Sequence, residues 1–95
     1  MATAARTISP LAGARKVIAK IKGHLPGDAR WNVEYFEEDG VYLLNVYAEG
    51  LDRMEIHRAA GHLLSDLSQR GLPMAIIMGD TRPLKWHPEL ETFPV

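Results

Sequence analysis

From Ser9 onward the apolar residues change period twice, from the three-and-four spacing of a helix to strict alternation and back. Leu11, Ala14, Ile18 and Ile21, with Val17 on the flank, make the stripe of a helix lying on a core. Ser9-Pro10 predicts its start, a hydroxyl at the N-cap followed by the residue best suited to the first helical position, and Gly23 predicts its end. From Trp31 to Ala48 the period becomes two, which predicts a β-hairpin around Asp39-Gly40. A two-residue type I′ turn at that pair opposes Glu38 with Val41, Tyr35 with Leu44, Val33 with Val46 and Trp31 with Ala48. One face then carries these mostly apolar partners. The other carries Asn32, Glu34, Phe36, Leu43, Asn45 and Tyr47, half polar and half apolar, where a sheet needs only one apolar face.

The helical period returns at Ile56, Ala60, Leu63 and Leu67, flanked by Ala59 and Leu64. Asp52 with Glu55 three residues later has the form of a capping box, and Arg70-Gly71 followed by Pro73 closes the helix. Met74 to Met78 is an unbroken apolar run between Pro73 and Gly79, the pattern of a strand covered on both faces. Beyond Asp80 come Pro83, Pro88 and Pro94 among Leu84, Trp86, Leu90, Phe93 and Val95, with room for a short edge strand at Leu84 to His87.

The order α-β-β-α-β, with a right-handed crossover through the second helix, predicts an α/β (α+β) two-layer sandwich. Both helices lie on one face of a mixed sheet of three or four strands. We expect residues 1–8 to be a frayed N-terminus, 9–80 a single domain, and 81–95 a proline-rich apolar tail docked on its own chain or on a partner.

Composition narrows the function without naming it. Eleven Lys and Arg against twelve Asp and Glu leave a net charge of −1, which marks neither a nucleic-acid binder nor a mimic of one. The absence of cysteine removes disulfides, thiolate nucleophiles and sulfur-ligated zinc. No secretory leader or membrane-length apolar run occurs, so a cytoplasmic protein is expected.

Four groups of residues carry candidate chemistry. Phe36, Leu43 and Tyr47 on the second face of the hairpin, with Trp86 and Phe93 from the tail, form one candidate protein interface. The acidic surroundings, Glu34, Glu37, Glu38, Asp39 and Glu49, argue against phosphate there. Gly61 sits mid-helix with Met54 and Arg58 on the side away from the core, a second contact candidate whose glycine costs about 1 kcal/mol relative to alanine. Arg15, Lys16, Lys20 and Lys22 are the one basic concentration and the candidate nucleic-acid face. His62 and Asp66, four apart on the second helix, invite an acid-base or metal reading. No HExxH, paired CxxC, P-loop or nucleophile elbow supports it, and a surface pair is the simpler account. No catalytic residue, metal site or cofactor is therefore expected.

The order α-β-β-α-β resembles small KH-like domains, and Arg58-Ala59-Ala60-Gly61-His62-Leu63-Leu64 is similar to the second-helix segment of ribosome-binding factor A proteins. That resemblance implies an RNA-binding or ribosome-associated alternative, although the GxxG loop of KH domains is missing. The stretch from Ser9-Pro10-Leu11 through the hairpin is similar to DinI-like modulators of recombinase filaments, whose acidic second helix this chain lacks. The leading expectation is a small non-enzymatic protein-binding module, a regulator or inhibitor of a larger assembly, with a homodimer through the sheet as a variant. RNA binding through the basic helix is second. An enzyme built on His62 and Asp66 is last.

Overall fold

The computed structural model describes residues 8–79 and 91–95. Helix α1 spans Pro10–Ile21 and passes through a 3-10 turn at Lys22–His24. Ser9 caps it, its Oγ accepting from the Ala12 N–H at 3.1 Å, with Pro10 at the first helical position. Strands β1 (Arg30–Phe36) and β2 (Val41–Tyr47) form the hairpin, helix α2 (Arg53–Gln69) crosses over, and β3 (Met74–Gly79) and β4 (Phe93–Pro94) complete the sheet. The sheet order is β3-β2-β1-β4, with β2 and β3 parallel and the other pairs antiparallel. This is the expected α+β class, with four strands. The fourth strand is Phe93–Pro94; Leu84 to His87 lies outside the described residues.

The hairpin register differs from the expectation by two residues. Phe36 opposes Val41, Tyr35 opposes Tyr42, Val33 opposes Leu44 and Trp31 opposes Val46, which leaves a four-residue loop at 37–40. A type I′ turn demands positive φ at both central residues. Here only Gly40 adopts it, at +65°, and no non-glycine among the described residues does. The longer loop spares Asp39 that strain, and the Gly40 N–H closes it on the Phe36 carbonyl at 2.9 Å. Because a shift of two preserves alternation, Trp31, Val33, Leu44 and Val46 keep their expected face, whereas Val41, expected beside them, opposes Phe36 on the other one.

Ala14, Val17, Ile18 and Ile21 of α1 and Ile56, Ala60 and Leu67 of α2 bury one cluster with Trp31, Leu44, Val46, Met74, Ile76 and Met78, all on one side of the sheet. β3 alternates between buried and half-buried positions rather than being fully enclosed on both sides. Helix α2 begins at Asp52, whose Oδ1 accepts from the Glu55 N–H at 3.1 Å. It ends in a Schellman motif: the Leu72 N–H reaches the Leu67 carbonyl at 2.8 Å, the Gly71 N–H reaches that of Ser68 at 3.1 Å, and Gly71 has φ of +88°.

Gly13 of α1 packs against that end of α2. A Cβ on Gly13 would stand 2.5 Å from Leu72 Cδ2, whereas one on Gly61 would meet nothing within 4 Å among the described residues. The two glycines therefore answer the same substitution oppositely. Gly61→Ala is expected to raise stability by about 1 kcal/mol through helix propensity. Gly13→Ala gains the same propensity but must displace a buried leucine, and overpacking of about 1–3 kcal/mol turns its sign to destabilising. Urea midpoints of the two variants against the parent check this.

Candidate interaction surface

The face of the sheet turned away from the helices is divided lengthwise. Toward the end of the hairpin farthest from its turn it is polar and closed. Asn32 and Asn45 are direct cross-strand partners, and Asn45 Nδ2 donates to Asn32 Oδ1 at 2.8 Å and to Glu34 Oε1 at 3.1 Å. Asn32 Nδ2 in turn donates to the Tyr47 hydroxyl at 3.4 Å. Tyr47 and Asn45 are each only 1% exposed, so this network belongs to the interior. Burial pushes the Tyr47 phenol above its ordinary value of 10.0; the hydrogen bond from Asn32 opposes that shift and the charge of Glu34 adds to it.

A raised phenol has a defined consequence for stability. The protonated form favours the fold, so its contribution is complete below the unfolded value of 10.0 and is lost as pH rises past the folded one. In alkaline urea titrations the parent is expected to lose stability more steeply above pH 10.0 than Tyr47→Phe, which has no phenol to ionise.

Toward the turn the character reverses. Phe36, Val41 and Leu43 occupy the outer face, and Tyr35 and Tyr42 stack on the helix side with ring centroids 4.8 Å apart. Tyr35 is 54% exposed and Phe36 38%, although neighbours in a strand point to opposite faces. The hairpin end thus presents aromatic surface on both sides of its blade, tipped by Glu37, Glu38 and Asp39, all exposed.

The expected interface residues separate accordingly. Phe36 and Leu43 share the hairpin end. Tyr47 is on the same face but four residues along the strand from Leu43 and six from the level of Phe36, roughly 13 and 20 Å away, and is buried. It cannot serve as a contact residue in this state. Phe93 lies on the other face, paired with Trp31 across β1 and β4 with ring centroids 5.0 Å apart. Trp31 Nε1 donates to the Pro94 carbonyl at 3.2 Å, so this part of the tail docks on its own chain. Trp86 lies outside the described residues. The alternation of the hairpin places Tyr35 inward, so its exposure is not legible from period alone.

On α2, Met54 and Arg58 are exposed beside Gly61, and Arg58 pairs with Glu55 at 2.8 Å. Among the described residues nothing approaches Gly61 closely enough to be the reason for that glycine. Asp66 pairs with Arg70 at 3.2 Å rather than with His62. Among the described residues no three of His, Asp and Glu are grouped to hold a metal ion. A wide cavity of about 350 Å³ at the ends of β2 and β3 is lined by Glu49, Leu51 and Arg53 among others, and its described residues gather no acid-base pair around a nucleophile.

The basic face is partly committed as well. The Arg15 guanidinium lies 5.5 Å from the ring centroids of both Trp31 and Phe93, a cation–π contact that holds the C-terminal strand. Lys16, Lys20 and Lys22 remain exposed. Among the described residues no helix is long and apolar enough to cross a membrane.

No family model, curated protein or solved structure matches the chain. The similarity to KH-like and DinI-like domains therefore gains no support from comparison, and function rests on this chain's own surface.

Proposed function

We propose that the protein is a non-enzymatic binding module that grips a protein partner with the end of its hairpin. The observation that carries this reading is the adjacent pair Tyr35 and Phe36, both exposed on opposite faces beside an acidic turn. Exposed aromatic residues in a cluster are the usual anchors of protein interfaces, and folding alone gives no reason to leave them in water. Such an end suits an apolar groove with a basic rim, the acidic turn steering encounter. Binding of this kind fits a regulator or inhibitor of a larger assembly.

Immobilised protein and lysate, with and without nuclease, test the reading. The parent retains a partner, Tyr35→Ser with Phe36→Ser loses it while remaining folded, and Lys16→Ala with Lys20→Ala retains it. Retention untouched by the aromatic double variant sinks the proposal. Retention that needs intact RNA and disappears with added salt transfers the function to the basic helix.

A further inference from the structure

The two edges of the sheet are protected unequally. β4, at one edge, is two residues long and contains Pro94. β3, at the other, is six residues of Met-Ala-Ile-Ile-Met-Gly with no charge and no proline, and among the described residues nothing pairs with its outer side. Natural edge strands are usually blunted by a charge, a proline, a bulge or shortness. β3 has none of these, and we propose that it is the site at which a second copy of this chain pairs, antiparallel, to make a continuous eight-stranded sheet.

The hydrogen bonds fix the register of that pairing. The carbonyls of Pro73 and Gly79 accept from the N–H groups of Tyr42 and Ala48, so the odd-numbered residues of β3 point their backbone groups at β2. The N–H and C=O groups of Met74, Ile76 and Met78 therefore point outward. Those same residues turn their side chains toward the helices. A two-fold axis through Ile76 opposes Met74 with Met78 and Ile76 with its own copy as hydrogen-bonded pairs, with Ala75 opposite Ile77 between them. All three outward residues are then satisfied, and both helix layers fall on the same side, so the two cores become one.

Self-pairing is favoured over other occupants by the strand itself. Its sequence is nearly symmetric about Ile76, it sets small Ala75 against large Ile77, and it brings no like charges together. The hairpin end, with Glu37, Glu38 and Asp39, would repel its own copy; the dimer through β3 leaves both hairpin ends free and pointing apart. This inference is independent of the hairpin reading.

Sedimentation of the full chain is expected to show a dimer that dissociates on dilution. Ala75→Lys with Ile77→Lys places lysine opposite lysine and is expected to be a folded monomer, as is Ala75→Glu with Ile77→Glu. Mixing the two restores a dimer containing one of each. In the unaltered protein, amide exchange of Met74, Ile76 and Met78 should slow with rising concentration while Ala75 and Ile77 stay protected throughout. A parent that remains monomeric at high concentration, variants that still dimerise alone, or exchange at the even positions that ignores concentration overturns the proposal. Should both charged variants fail to fold, the exchange measurement on the parent decides.

Discussion

Trp31→Ala is expected to lower stability by about 4 kcal/mol, the range for truncating a large buried aromatic. The ring is almost wholly buried where α1, β1 and β4 meet, and it carries three interactions besides packing. It stacks on Phe93, lies under the Arg15 guanidinium, and donates its indole N–H to the Pro94 carbonyl. Stability of small domains totals only about 5–15 kcal/mol, so most of a modest margin disappears. At roughly 4–8 °C per kcal/mol for a chain of this size, the melting temperature falls by about 15–30 °C. Trp31→Phe separates the contributions: it keeps an aromatic face for Phe93 and Arg15 but loses the N–H, and about 1 kcal/mol is expected from that bond together with the lost volume. The C-terminal strand should report the difference, with cleavage after residue 91 by a nonspecific protease rising sharply in the alanine variant and slightly in the phenylalanine one. A loss below about 1 kcal/mol for Trp31→Ala would show that the C-terminal strand does not help to close the core.

The indole also marks where sequence reasoning reaches and where it stops. Periodicity placed Trp31, Val33, Leu44 and Val46 on the helix side even though the predicted turn was wrong, because alternation survives any even shift of register. The capping residues Ser9 and Asp52 and the glycine stop at Gly71 were legible because each acts within a few residues. Tyr35 and Tyr47 were not. A period assigns a face, but burial along that face depends on how far the covering elements reach. Phe93 shows the same limit: between two prolines it has no period, and only its pairing with Trp31 decides its side. The Asn32–Asn45 pair was visible as two polar residues on the second face. Its hydrogen bonds depend on register, which the turn hid.

Asn45→Asp, although isosteric, is expected to be strongly destabilising at neutral pH. It replaces the amide that donates to Asn32 and Glu34 with a second carboxylate, setting acceptor against acceptor 3.1 Å from Glu34 Oε1. Rotating the Asn32 amide can restore one donor, at the expense of its bond to Tyr47. The repulsion from Glu34 and the loss of hydration remain, and an uncompensated buried charge costs about 3–5 kcal/mol. Both effects push the introduced carboxyl above the unfolded aspartate value of about 3.9. A raised folded value means that the variant is least impaired below about pH 3.9 and loses stability as pH rises through the folded value, by up to about 1.4 kcal/mol per unit. Urea titrations between about pH 4 and pH 8 should therefore show a gap from the parent that widens with pH. Asn45→Leu removes the same donors without adding charge, and its deficit should stay constant over that range. A parallel, pH-independent deficit for Asn45→Asp would place the network in water rather than in the interior, and with it the surface between Tyr47 and Glu34 would become available for binding.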